Sequence, residues 1–239
     1  MKQQFNDAEI IDIIDVNSAI KRFFFKVLHT DKFDFKPGQF VMINLPIDSK
    51  ISYRSYSIAS APNGTNIFEL IIVLNPPGMG TPYMWDNFKK GMIVPVAGPL
   101  GKFNLPENIL HDICFISTGT GIAPLRSMLH HIYNTKMHHH RIYFIFGSRK
   151  KEDLLYKDEL EDLQKTHPEF HYIPVLSRET PETWYGRIGY VHQVYEEIFH
   201  NKRPAHFYLC GWTAMLKEAR ERLALMGYTK EHIKFENYD

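Results

Sequence analysis

The chain has 239 residues, 28 basic against 27 acidic side chains, and two cysteines, Cys114 and Cys210. Hydrophobic residues at 44% and charged residues at 23% describe a folded globular chain and exclude a disordered one. A net charge of +1 argues against a nucleic-acid binder built on phosphate neutralisation, and two thiols supply neither a four-thiolate cluster, a Cys-rich zinc site nor a disulfide framework.

The opening MKQQFNDAEIIDIIDV mixes acids with its apolar residues, unlike a secretory signal. No window approaches the roughly 20 apolar residues of a membrane span. The expectation is a cytoplasmic protein that engages no membrane. From there to Pro106, short runs rich in β-branched and aromatic residues alternate with turn signals. Residues 20–28, 39–45, 52–60, 67–74 and 92–97 read as strands, with a helix around 82–88. Strands at this spacing suggest a small closed antiparallel barrel.

After Pro106 the rhythm becomes strand, helix, strand. Strands are predicted over 113–118, 141–147, 171–177, 205–211 and 233–238. Between the first two, Leu125, Met128, Leu129, Ile132 and Tyr133 share one helical face of a helix over 124–134. Tyr156, Leu160 and Leu163 mark the next helix, Val191, Val194, Tyr195, Ile198 and Phe199 the third, and Met215, Ala219, Leu223 and Met226 the last. Thr213 is expected to cap that last helix. The fold class is therefore two-domain: an antiparallel Greek-key β-barrel over 1–106, then an α/β doubly wound five-stranded parallel sheet over 107–239. The internal run His138-His139-His140 points in several directions on any regular element and reads as a solvated loop, so no metal site is expected.

Chemistry gathers at the ends of the parallel strands. The turn Gly119-Thr120-Gly121-Ile122-Ala123-Pro124 joins the first strand to its helix, where glycines let backbone approach an anion and the helix start offers amides. Pro124 fits a first helical turn. A strand–helix turn without ligand would use the same residues. With strand order 3-2-1-4-5 the switch point lies between strands one and four, which sets Cys210-Gly211 and Met215 across a crevice from that turn. Cys210 has two readings there, a buried apolar residue or a neighbour of the reactive ring of a dinucleotide. Ser148 and Arg149 end the second strand, Ser177 and Arg178 the third, on the adenosine side. Arg178 with Ser177 suits a ribose 2′-phosphate, favouring NADPH with NADH as the alternative.

Taken in order, four motifs resemble the ferredoxin–NADP reductase superfamily along nearly the whole chain. Arg54-Ser55-Tyr56-Ser57 is similar to its Arg-x-Tyr-Ser flavin motif, and Gly78-Met79-Gly80-Thr81 to its flavin phosphate loop, with Gly98-Pro99-Leu100-Gly101 following. Gly119 to Pro124 resembles its nucleotide loop, and Cys210-Gly211 with Met215 its Cys-Gly-x-x-x-Met stretch. The resemblance implies FAD as cofactor and a nicotinamide nucleotide as partner. It gives Arg54 the flavin phosphate, Tyr56 the isoalloxazine face, Ser57 a hydrogen bond at N5, Val73 a backbone contact, and Gly78 to Thr81 the phosphate oxygens. Ser57 and Cys210 would frame hydride transfer.

The ending Phe235-Glu236-Asn237-Tyr238-Asp239 resembles the Glu-x-aromatic terminus of plant-type and bacterial members. That implies Tyr238 covering the flavin and Glu236 relaying protons or orienting the nicotinamide; Asp239 after the aromatic residue departs from the pattern. The implied enzyme is a monomeric FAD-dependent oxidoreductase passing electrons from NADPH to a separate ferredoxin- or flavodoxin-type carrier. The alternatives are a flavin reductase acting on free flavin, the reductase component of an oxygenase, and a non-enzymatic flavin-binding electron-transfer or regulatory subunit.

Overall fold

The computed structural model describes residues 4–47 and 50–237. One compact unit takes Met1–Leu105 with Arg126–Asn134, the other Pro106–Leu125 with Thr135–Asp239.

The first unit is built from six strands: β1 (Phe5–Asn17), β2 (Ile20–Val27), β3 (Phe40–Ile47), β4 (Lys50–Ser57), β5 (Ile67–Val73) and β6 (Ile93–Leu100). They pair antiparallel in the order β4-β3-β6-β1-β2-β5, and an antiparallel bridge between Ile58 and Leu70 joins the two ends into a barrel. Alternation puts Phe23, Phe25, Val41, Ile43, Phe68 and Leu70 inside, all nearly solvent-free. Phe25 and Phe68 stack with centroids 5.3 Å apart, and burying each such ring contributes about 1.5–3 kcal/mol. Helix α1 (Gly80–Asn87) follows β5 and buries Met84.

Strand β1 is not among the strands expected from the sequence. The strand carries a bulge between Ile10 and Asp12 in its pairing with β2, which breaks the period of two on which such readings depend.

In chain order the second unit runs β7 (Asp112–Thr118), the start of α2 (Ile122–Asn134, whose residues from Arg126 onward belong to the first unit), β8 (Ile142–Ser148), α3 (Lys157–Thr166), β9 (Phe170–Leu176), β10 (Arg187–Ile188), α4 (Val191–Ile198), β11 (Ala205–Gly211), α5 (Thr213–Leu225) and β12 (Ile233–Asn237). A 3-10 turn, Gly119–Gly121, separates β7 from α2. Its parallel order is β10-β9-β8-β7-β11-β12. This is the expected 3-2-1-4-5 sheet with one addition, a two-residue edge strand too short to leave a periodic trace. Val191, Val194 and Tyr195 of α4 join Met215, Leu216, Ala219 and Leu223 of α5 in a core with Ile116, Phe207 and Leu209. Phe115, Phe144 and Tyr208, opposite in alternation, make ring contacts of their own.

Cys114 lies fully buried in β7, and burial pushes its thiol well above the ordinary range. His138, His139 and His140 fall outside the helices and strands, as expected. Among the described residues, no helix is long and apolar enough to cross a membrane.

Candidate functional site

In the first unit, β4 delivers the Arg-x-Tyr-Ser residues on alternating faces. Arg54 pairs with Ile43 in the ladder, and its guanidinium donates to Ser52 Oγ at 2.7 Å and the Tyr53 carbonyl at 2.9 Å. Its side chain runs against the start of α1. A Cβ placed on Gly80 would lie 2.8 Å from Arg54 Nε and 3.1 Å from its Cγ. Helix α1 begins without a side-chain cap at Met79, which leaves its first amides and positive dipole end beside a guanidinium. Amides and a guanidinium placed together can receive an anion such as phosphate, and this approach depends on glycine at residue 80.

Tyr56 packs on the barrel core, and its hydroxyl lies 3.4 Å from Met84 Sδ. Burial raises its pKa to about 12 against a smaller lowering by Arg54, so the phenol stays neutral at ordinary pH. Ser57 is buried at the end of β4, opposite Phe40. Ser55 faces outward and Val73, at the end of β5, is 41% exposed. Thr81 differs from simple expectation: its hydroxyl already accepts from the Asn75 amide at 2.8 Å, closing the Gly78–Thr81 turn. Met79 stands outward at 56% exposure.

In the second unit, the ends of β7 and β11 meet backbone to backbone. A Cβ on Gly121 would fall 2.4 Å from the Cys210 carbonyl oxygen, and one on Gly211 2.3 Å from Thr118 Oγ1. Gly211 also has a φ of +144°, a conformation that glycine adopts readily. The Trp212 amide donates to Thr118 Oγ1 at 3.2 Å. Thr120 lies within the turn, and Pro124 is the third residue of α2 and buried. This geometry suits a diphosphate at the turn, with the helix start behind it.

Cys210 is fully buried and sits in register with Ser117 on β7 and Glu236 on β12. In-register neighbours of a parallel sheet share a face, so the structure lines up Ser117, Cys210 and the half-buried Glu236 across three strands. Ser117, which the sequence places at the start of the strand–helix turn, is not among the expected site residues. Among the described residues its buried hydroxyl has no hydrogen-bond partner, and an unpaired buried polar atom at a strand end is the signal that marks it. Met215 is buried on α5.

Thr213 does not cap α5. Trp212 occupies the cap position with no side-chain bond, and the Thr213 hydroxyl donates to Asn237 Oδ1 at 2.9 Å instead.

On the far side of the turn, hydrogen bonding continues past β8 and β9. The Ser177 amide donates to the Ser148 carbonyl at 3.0 Å and the Arg178 amide to the Arg149 carbonyl at 2.9 Å. Two exposed arginines are thereby held side by side. Glu179, which sequence spacing could not connect, ties the same loops together. It accepts from the Lys151 amide at 3.0 Å and from Thr183 Oγ1 at 2.6 Å, and these bonds, Thr183 first, lower its pKa. Tyr238 lies outside the described residues.

Two families match this arrangement. Residues 7–105 match the oxidoreductase FAD-binding domain and residues 115–221 the oxidoreductase NAD-binding domain. The chain is 31% identical over 240 residues to a ferredoxin–NADP reductase B of Sorangium cellulosum, covering 98% of this chain and 97% of that one. It is 28% identical over 236 residues to a glycine betaine monooxygenase reductase subunit of Chromohalobacter salexigens, spanning 98% of itself but 64% of that protein. Among solved structures it is similar in fold to a ferredoxin NADP+ reductase from Neisseria gonorrhoeae with bound FAD and NADP. The TM-score is 0.84 at 22% identity, over 99% of both chains.

Proposed function

Because the chain belongs to the ferredoxin–NADP reductase superfamily, we propose that it is an FAD-dependent NADPH oxidoreductase that hands electrons to a separate ferredoxin- or flavodoxin-type carrier. The observation that carries this reading is the pair of phosphate cradles, Arg54 against Gly80 at one uncapped helix start and the Gly119–Gly121 turn against Cys210. When bound, FAD supplies the conversion of a two-electron hydride donor into one-electron steps.

The residues around it bind and orient. Arg54 and the amides of Gly78 to Thr81 hold flavin phosphate by charge-assisted hydrogen bonds. Tyr56 offers a neutral flat ring, and Ser57 a small hydroxyl, to the flavin; Val73 presents backbone. Gly119, Thr120, Gly121 and Pro124 seat the dinucleotide diphosphate, and Ser148, Arg149, Ser177 and Arg178 its adenosine end. Cys210, Gly211 and Met215 form the floor for the nicotinamide, and Glu236, in register with Cys210, relays protons or orients the nicotinamide. Tyr238, which lies outside the described residues, is proposed as the aromatic cover of the flavin.

Two cysteines within these 239 residues cannot hold a four-thiolate cluster, so an iron–sulfur acceptor would lie outside them, which favours a carrier. The reading takes the chain as a monomer working in the cytoplasm. A second reading, the reductase component of an oxygenase, is supported by the monooxygenase reductase relative. Purified protein that takes up FAD with a shifted flavin absorption band supports either; protein that remains colourless after reconstitution with FAD rejects both. Reduction of a ferredoxin or flavodoxin supports the first reading. Activity only with an oxygenase's own cluster protein supports the second.

A further inference from the structure

Beyond Ser57 the chain leaves β4 and crosses to β5, and its backbone has to be satisfied there without a continuous ladder. The Ile58 amide still donates to the Gln39 carbonyl at 3.0 Å, and the Ala59 amide to the Glu69 carbonyl at 2.8 Å. The carbonyls of Ala59 and Ser60 point elsewhere. Ala59 is fully buried, so its carbonyl requires a partner. Both partners come from one short stretch of α2. Arg126 Nη1 donates to the Ala59 carbonyl at 2.8 Å, and Ser127 Oγ to the Ser60 carbonyl at 2.7 Å.

Arg126 is itself fixed. Its guanidinium lies 3.2 Å from Glu69 Oε2, and Glu69 Oε1 takes a second guanidinium, Arg22 Nε, at 2.5 Å. The Glu69 side chain is 4% exposed and the Arg126 side chain 10%. The Glu69 amide completes the ring by donating to Ser60 Oγ at 3.0 Å. A carboxylate this deep is tolerated because two forks balance its charge, and breaking one pair leaves a buried charge short of a partner. The cluster therefore has one sharply defined geometry, and it ends on the two carbonyls that follow Ser57.

We propose that Arg126 and Ser127 are positioning residues for the flavin: they clamp the Ala59 and Ser60 carbonyls and so fix Ser57 and Tyr56 against the isoalloxazine, with Glu69 and Arg22 holding the clamp. This rests on the flavin-binding reading of β4. Neither residue touches the reacting atoms. Their effect passes through two or three residues of backbone, and a displacement of about 1 Å at a reacting centre is enough to cost one to two orders of magnitude in rate.

The test uses the FAD-loaded protein and two charge-preserving variants, Ser127→Ala and Arg126→Lys, with Glu69→Gln/Arg126→Met as a charge-neutralised third. Flavin reduction by NADPH is followed by stopped flow, and the visible circular dichroism of the bound flavin is recorded beside the urea midpoint. A role confined to stability moves the midpoint alone. The clamp predicts that reduction slows by about tenfold or more in any variant that folds and that the flavin dichroism changes with it. Parental rate and dichroism in every folded variant, whatever their midpoints, would overturn the proposal. Failure of the parental protein to take up FAD would sink the flavin reading itself, so the two failures are separable.

Discussion

Gly121 and Cys210 meet so closely that a Cβ on Gly121 would lie 2.4 Å from the Cys210 carbonyl oxygen. The obstruction is backbone on both sides, so no rotamer change relieves it. Gly121→Ala is predicted to cost about 1–3 kcal/mol in urea unfolding, the usual cost of overpacking. It also pushes the nucleotide turn away from the Cys210–Gly211 loop, so KM for NADPH rises. An alanine variant with parental midpoint and KM would show that the two strand ends are not packed as described.

Cys210 stands between Ser117 and Glu236 in register. Replacing it with alanine removes one sulfur from a buried site and leaves the sheet pairing intact. The expected result is slower flavin reduction in stopped flow with a small loss of stability, about 1 kcal/mol. An unchanged rate would remove Cys210 from the hydride-transfer site and leave it as core.

Arg178 and Arg149 are held side by side by the Arg178 amide on the Arg149 carbonyl. If they receive a ribose 2′-phosphate, Arg178→Ala lowers kcat/KM for NADPH by about tenfold, the size expected of one charge-assisted hydrogen bond at an exposed site. The loss falls on KM, and NADH turnover is unaffected. Equal losses with both nucleotides would assign Arg178 to the diphosphate, and no loss would place it in solvent.

His206 sits between His111, 5.6 Å away by ring centroids, and His232, 5.9 Å away. Burial first, then the neighbouring His111, His232 and Lys234, hold its pKa below the ordinary 6.5. The folded state thus binds fewer protons here than the unfolded chain does. Stability from this group is complete above pH 6.5 and is lost as pH falls through the depressed folded value. Unfolding midpoints measured from about pH 8 to about pH 5 should drop on the acid side. His206→Gln should flatten part of that drop, leaving the share of His131, His171 and His192, whose pKa values are also lowered. An identical acid slope in the variant would refute the assignment.

Local patterns alone make much of this fold legible. The helical spacing from Leu125 to Tyr133 marked α2, and the apolar runs at 113–118 and 205–211 marked the two strands whose ends meet. What escaped was what periodicity does not encode. The bulge in β1 hid a 13-residue strand behind an acid-rich pattern. Helix α2 starts at Ile122, two residues before Pro124, because proline is tolerated throughout a first turn whose amides lack intrahelical partners. Thr213 looked like a cap because caps favour its residue type, but its hydroxyl is taken by Asn237, which only strand pairing brings near. The Arg22–Glu69–Arg126 cluster joins residues 47 and 57 positions apart, beyond the reach of any spacing rule. Motif strings mark the two glycine turns proposed to seat phosphates; the contacts that hold those turns in place are tertiary.

On the proposed function, this chain holds FAD and NADPH reduces it. The most direct measurement mixes FAD-loaded protein anaerobically with NADPH and follows the flavin band. The band is expected to bleach, and to bleach more slowly when the hydrogen transferred from the nicotinamide C4 is replaced by deuterium. Loaded protein whose flavin band is unchanged by either NADPH or NADH would contradict it.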